Sequence, residues 1–233
     1  MDLIIASNNA AKVREMKELV RELPLRVLSL KDAGIFVEVE ETGETFEANA
    51  KIKALEIWKL ASAMGCRSGV TGDGADGTAG ANEAAGAKGC IVMADDSGLC
   101  VDAMDGAPGV YSARYAGEGA TDEQRNQKLL HALQDTAEDK RSARFVCAIC
   151  LVFPPKSEGN NPQIELFSGL CEGVIAFAPT GTNGFGYDPL LYLPEYRKSM
   201  AELSPEEKNK VSHRGKAVRA ALRYLSEELN EPG

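Results

Sequence analysis

The sequence predicts an α/β fold, and three observations carry that expectation. Short apolar runs at residues 3–6 (LIIA) and 91–94 (IVMA) have the length of buried strands and open directly into polar segments. Helical periodicities alternate with them along the chain. Two longer strand-like runs, 144–153 (RFVCAICLVF) and 164–172 (IELFSGLCE), are joined by a polar, proline-containing linker and read as a hairpin. The 233 residues suffice for one good core, so residues 1–233 are expected to form a single domain. A net charge of -9 argues against a nucleic-acid or membrane-surface partner, which would call for a basic face. No apolar run approaches the roughly 20 residues that span a bilayer, and the N-terminus lacks a basic leader, so the expected location is cytoplasmic. The six cysteines are then expected to stay reduced.

The first strand, 3–6, runs into Ser7, Asn8 and Asn9 and then a helix whose apolar side is Val13, Met16, Val20 and Leu23. A helix N-terminus offers unpaired amides and positive dipole, and Lys12 adds a full charge one turn in, which suits phosphate. An ordinary N-cap by Ser7 or Asn9 is the competing explanation. There is no Walker sequence. A second strand at 26–30 leads to the acidic loop Glu38, Glu40, Glu41, after which Thr45 caps a helix with the stripe Phe46, Ala50, Ala54, Ile57, Ala61, Met64, widened by Ile52, Leu55 and Leu60. Asn49 and Lys53 lie i, i+4 on this helix and are candidates to face the same ligand as Lys12, although a solvated face explains them too.

Residues 66–90 are rich in glycine and alanine and hold no large side chain after Val70, so they are expected to form a mobile insertion. Gly72, Gly74 and Gly77 match GxGxxG without the flanking strand and helix that a dinucleotide site requires. The strand 91–94 then delivers Asp95, Asp96, Ser97 and Gly98. Carboxylates just past the carboxyl end of a strand suit a metal-assisted site; the tetrapeptide alone is equally a solvated turn.

Thr121 with Gln124 forms a candidate capping box for a helix across 121–136. In the hairpin, Cys147 and Cys150 are spaced to face opposite sides of a strand and cannot jointly hold a metal. The loop 179–194 brackets Phe185, Tyr187 and Asp188 with glycine and asparagine, which suits stacking of a planar ligand with an acid reading its edge, or a tight turn packed by its own aromatics. Ser204, Pro205 and Glu207 start one helix; Ser212 caps another with the stripe Val218, Leu222, Leu225, Leu229, placing His213 and Arg214 in its first turn.

Four blocks in order, Ser7-x-Asn9-x-x-Lys12-x-x-Glu15, ETGETFEANAKIKA from Glu41, ADDSGL with GAPGVYSARYAG, and GFGYDP followed by AELSPEEKNKVSHRGKA, resemble the inosine triphosphate pyrophosphatase family. The resemblance implies a long mixed β-sheet with flanking helices and two lobes around a central substrate cleft. It implies Mg²⁺-dependent hydrolysis of ITP, dITP and XTP to the monophosphate and pyrophosphate by a homodimer. Ser7, Asn8, Asn9, Lys12 and Lys53 would then hold the triphosphate, and Ser97 and Lys208 would contact substrate. Glu40 or Glu41, with Asp95 and Asp96, would bind Mg²⁺, and Asp96 would be the general base. Phe185, Gly186, Tyr187 and Asp188, with His213 and Arg214, would form the base pocket. The second block departs from the family at Ala48, where a glutamate is usual and Glu47 is the nearest acid. A nucleotide pyrophosphatase of other base preference and a non-hydrolysing purine-nucleotide regulator are the alternatives; the regulator would have no use for the adjacent carboxylates.

Overall fold

The computed structural model describes residues 1–65, 89–157 and 160–230. Strand β1 (Asp2–Ala6), helix α1 (Ala10–Leu19), β2 (Arg26–Ser29) and α2 (Phe46–Ala63) come first, followed by β3 (Ile91–Val101) and α3 (Asp122–Ala132). Then come β4 (Ser142–Phe153), β5 (Gln163–Ile175), β6 (Leu191–Leu193), β7 (Lys198–Ser199), α4 (Pro205–Val211) and α5 (His213–Asn230). The strands form one seven-stranded sheet in the order β2-β1-β3-β4-β5-β6-β7. β2, β1 and β3 run parallel, and every later pairing is antiparallel, so the sheet is mixed.

Side-chain alternation divides the core between the two faces of the sheet. On one face Ile4, Ala6, Val92, Ala94, Ala148, Cys150 and Val152 meet Ala50, Ala54, Ile57 and Ala61 of α2. On the other, Leu3, Ile5, Ile91, Met93, Ile149 and Leu151 meet Met16 of α1, its C-cap residue Val20, and Ala217, Val218, Ala221 and Leu225 of α5. A third cluster lies at the far end of β3 and β4, where Leu99, Val101, Ala143 and Phe145 pack with Leu129 and Leu133 of α3 and with Tyr187, Leu190 and Leu191. Cys147 and Cys150 belong to opposite-face clusters, as strand spacing predicts. Cys100, Cys147, Cys150 and Cys171 are free thiols.

Several boundaries differ from the sequence expectation. The apolar run 91–94 is only the first part of an eleven-residue strand, so Asp95, Asp96, Ser97 and Gly98 are strand residues and not a turn. β1 pairs with β3 only as far as Ala6 opposite Ala94, whereas β4 continues to pair through Val101 opposite Ala143. The ladder to β4 therefore holds turn-forming residues extended. The α2 stripe is buried through Ala61, but Leu60 and the C-cap residue Met64 are 39% and 50% exposed. Residues 66–88, which carry the expected insertion and the GxGxxG match, lie outside the described residues. Among the described residues no helix is long and apolar enough to cross a membrane.

Candidate active site

The site forms where β1 stops and β3 goes on. Beyond Ala94, β3 has β4 on one side only; its other edge is met by the segment 107–112, with Leu99 N donating to Ser112 Oγ at 2.9 Å and Val101 N to the Ala107 carbonyl at 3.1 Å. Gly98 is required by this approach: a Cβ there would lie 2.4 Å from both the Gly109 carbonyl oxygen and Ser112 Oγ.

Asp95 is fully buried and binds cations from two helices. Lys12 Nζ of α1 lies 2.5 Å from its Oδ1, and Arg214 Nε of α5 lies 3.2 Å from its Oδ2. The Cys147 thiol donates to the same Oδ2 at 3.1 Å. Burial by itself would raise the Asp95 pKa, but Arg214, Lys12 and Lys53 outweigh it and hold the carboxyl well below the usual range. Asp96 differs. Burial raises its pKa above the ordinary value against the opposing pull of Lys53 and Lys12. Lys53 Nζ sits between Asp96 Oδ1 at 3.2 Å and Glu41 Oε1 at 2.8 Å, and the buried Asp96 Oδ2 has no hydrogen-bond partner among the described residues. Arg114 approaches Glu41 from the other side at 3.7 Å.

Around the corner, Glu15 ties the last two helices to α1. It accepts from Lys208 Nζ at 2.7 Å and pairs with Arg214 Nη1; burial raises its pKa, but Arg214 and Lys208 bring it below the ordinary value. Lys208 also donates to Asp188 Oδ2 at 2.7 Å, and Arg214 Nη2 donates to Ser97 Oγ at 3.0 Å. The ring of Phe185 lies under Lys208 Nζ at 4.9 Å and under the Arg214 guanidinium at 5.4 Å. Glu15 stands in the first sequence block without an assigned role; its i, i+3 spacing from Lys12 was the signal that it shares that helix face.

The structure brings together Lys12, Lys53, Asp95, Asp96, Ser97, Phe185, Asp188, Lys208 and Arg214 with Glu41, and it corrects several details. Of the two readings of this loop, the N-cap holds: Asn9 caps α1 and its side chain accepts from the Ala11 and Lys12 amides, which are therefore not unpaired. Ser7 Oγ accepts from Asn9 N, and Asn8 Nδ2 ties the loop to the Val37 carbonyl at 2.9 Å. Asn49 is buried, and its Oδ1 accepts from Gly43 N at 2.7 Å, which braces the acidic loop in place of facing a ligand. Tyr187 is 4% exposed and donates to the Ser112 carbonyl at 2.9 Å, so it packs the loop and does not offer a free stacking face. Asp188 is buried too, accepting from Phe185 N and Lys208; an oxygen used that way does not read a base edge. His213 is buried and stacked on Phe145 with ring centroids 4.7 Å apart. Burial, then Arg214, keeps its pKa well below the usual value, so it is neutral, with Nδ1 unpartnered among the described residues.

The four carboxylates expected to share a metal do not assemble: among the described residues there is no group of three or more His, Cys, Asp or Glu placed to hold one. Both Asp95 oxygens are engaged by cations, and Glu40 and Glu47 are exposed. Glu41 and Asp96 remain, held about one ammonium. Two hard carboxylates, one with an unused buried oxygen, fit a cation such as Mg²⁺ that takes few protein ligands and completes its shell with water and phosphate.

The Ham1 family model matches residues 3–224 of the chain. The chain is 44% identical over 229 residues to a dITP/XTP pyrophosphatase of Bacillus anthracis, an alignment covering 98% of this chain and 96% of the relative. It is 39% identical to a dITP/XTP pyrophosphatase of Coxiella burnetii, covering 97% and 98%. Among solved structures, a HAM1 protein from Coxiella burnetii superposes with a TM-score of 0.76 at 38% identity, covering 97% of this chain and 99% of that one. The Staphylococcus aureus Ham1 protein gives 0.75 at 36% identity, covering 98% and 100%. The resemblance drawn from four short blocks thus extends over nearly the whole sequence and the fold together, and the chain belongs to the Ham1 family.

Proposed function

We propose that this cleft binds non-canonical purine nucleoside triphosphates across the Lys12, Lys53 and Phe185 surface, with Asp96 as general base. The chain is a hydrolase that converts ITP, dITP and XTP to the nucleoside monophosphate and pyrophosphate, the chemistry of the dITP/XTP pyrophosphatases it is similar to. The single observation that carries the assignment of roles is Asp96: a buried carboxylate with a raised pKa and an oxygen unpartnered among the described residues, beside Lys53 on β3 past the end of β1.

Lys12, with the N-terminal dipole of α1 behind it, and Lys53 of α2 are the cations for the phosphate oxygens, with Ser7, Asn8 and Asn9 at the loop that leads into α1. Desolvation makes Asp96 a stronger base than a surface aspartate, suited to take a proton from the water that attacks the α-phosphorus as pyrophosphate leaves. Mg²⁺ held by Glu41 and Asp96 would neutralise phosphate charge and acidify water there. Phe185 supplies a half-buried ring for stacking, while Arg214 and neutral His213 stand at the same end as donors for a 6-oxo group. A 6-amino group would set donor against donor, the mismatch that gives strong discrimination. Gly186, Tyr187, Asp188 and Lys208 hold this pocket in shape, and Ser97 touches it through Arg214. The same reading makes the protein a cytoplasmic homodimer; exposed Leu166 and Leu170 on β5 are apolar surface available to a second copy, and light scattering tests this.

The experiment is a panel of ITP, dITP, XTP, ATP, GTP and pyrimidine triphosphates, with and without Mg²⁺, monitored for pyrophosphate. Hydrolysis of the first three, dependent on Mg²⁺ and much faster than that of ATP and GTP, is expected. Equal turnover of ATP and ITP would remove the base-reading roles, and release of orthophosphate would remove the reaction.

A further inference from the structure

Helix α3 takes no part in the charge network of the cleft, yet two of its side chains close on the loop that carries Phe185. The Gly186 amide donates to Asp122 Oδ2 at 2.6 Å, and Asn126 Nδ2 donates to the Gly186 carbonyl at 3.1 Å. Asp122 and Asn126 are one helical turn apart on one face of α3, so both hydrogen-bonding groups of this glycine are engaged by a single rigid element. Gly186 has φ +64°, in the left-handed region, between Phe185 and the buried Tyr187.

Asn126 is 7% exposed, and its buried Oδ1 has no partner among the described residues. An interior asparagine with half its amide unsatisfied costs stability that a leucine of similar size would not. What the residue supplies is therefore the bond from Nδ2 to Gly186. α3 itself is firmly started by the Thr121–Gln124 capping box and anchored in the core by Leu129.

We propose that Asn126 and Asp122 are specificity-positioning residues, which fix the Gly186 peptide and through it the seat of the Phe185 ring beneath Lys208 and Arg214. This rests on the reading of Phe185 as the face on which the purine stacks. Phosphoryl chemistry at Asp96 lies on β3 and makes no bond to α3. Releasing Gly186 then loosens base recognition more than it slows bond cleavage.

The test compares Asn126→Leu, which removes the donor and the orphaned oxygen together, and Asp122→Ala, which frees the amide end at a side chain 43% exposed. For each variant kcat and KM are measured for ITP and ATP beside the parent, with a thermal melt. The expected result is a KM for ITP raised about tenfold, kcat within about threefold, and an ITP-to-ATP preference reduced about tenfold, a displacement of under an ångström being enough for such losses. A variant that merely perturbs structure lowers both substrates together. If the parent shows no preference for ITP, the base-pocket reading and this inference fall together. If the parent prefers ITP and either folded variant keeps that preference, this inference alone is overturned. Should Asn126→Leu not fold, Asp122→Ala decides.

Discussion

Asp95 and Asp96 share a peptide bond and meet their cations from opposite faces of the sheet: Asp95 is held by Lys12 and Arg214 of α1 and α5, Asp96 by Lys53 of α2. Strand alternation dictates this, since successive side chains point to opposite sides. Met93 and Asp95 share the face of α1 and α5, and Ala94 and Asp96 the face of α2. The pair therefore divides two tasks. Asp95 is held by cations at both oxygens, and Asp96, the general base of the proposed function, keeps one oxygen unused among the described residues.

That division predicts different outcomes for two isosteric substitutions. Asp96→Asn is expected to lower kcat by roughly a hundredfold or more, the scale of losing a general base, without lowering the melting temperature, because burial already disfavours the charged form there. Asp95→Asn leaves the buried Arg214 and Lys12 short of their counter-charge and is expected to cost about 3 kcal/mol of stability. Kinetics and denaturant melts of both variants check this; a normal melt for Asp95→Asn, or parental kcat for Asp96→Asn, reverses the assignment.

The two glutamates of the acidic loop separate in the same way. Glu41 faces Asp96 across Lys53, while Glu40 is exposed. In Glu41→Gln the Mg²⁺ concentration for half-maximal ITP hydrolysis is expected to rise about tenfold or more, the scale of losing a hard ligand or its support. Glu40→Gln should leave it unchanged. A Mg²⁺ titration at fixed ITP decides, and the opposite ranking transfers the ligand role to Glu40.

Much of this was legible in the sequence because it is local. Asn9, Thr45, Ser204 and the Thr121–Gln124 box cap their helices as their residue types demand, and apolar period located both faces of the core. What was not legible depends on partners distant in the chain. Residues 95–98 read as a turn by composition, and only the ladder to β4 makes them a strand. Tyr187 and Asp188 sit in a glycine-rich loop that composition marks as exposed, but Ser112 and Lys208 bury them. Glu15 shows locally only the i, i+3 spacing that puts it on the Lys12 face; its role exists only once α4 and α5 bring Lys208 and Arg214 to it.

Gly98 offers a test of the edge that supports Asp96. A methyl group there meets the Gly109 carbonyl oxygen at 2.4 Å, a backbone atom that cannot swing aside as a side-chain end can. Gly98→Ala is expected to cost about 2 kcal/mol, in the range of overpacking a tight contact, and to lower kcat as β3 shifts two residues from Asp96. A thermal melt and an ITP assay provide the readout. Parental values in both would mean that segment 107–112 is free to move away from β3.

His213 predicts how stability depends on pH. Burial, then Arg214, holds its folded pKa well below the ordinary value near 6.5, so the folded protein excludes a proton that the unfolded chain accepts. Stability rises with pH wherever the unfolded state binds more protons, so this contribution is complete above about pH 6.5 and is lost as pH falls below it, with a slope of up to about 1.4 kcal/mol per pH unit. Asp96 and Asp188, whose folded pKa values are raised chiefly by burial, act in the opposite sense: they retain protons that the unfolded chain has released, and stabilise as pH falls through those values. Both carboxylates remain in a His213→Phe variant, so the difference between parent and variant isolates the imidazole. Denaturant melts between about pH 7.5 and about pH 5.5 should show the parent losing stability more steeply than the variant, with the curves parallel above about pH 6.5. What matters is the slope and not the level, since the exchange also alters the stack on Phe145. Parallel curves across the whole range would mean that His213 takes up its proton in the folded state at the same pH as in the unfolded chain, and the imidazole kept neutral by burial would be wrong.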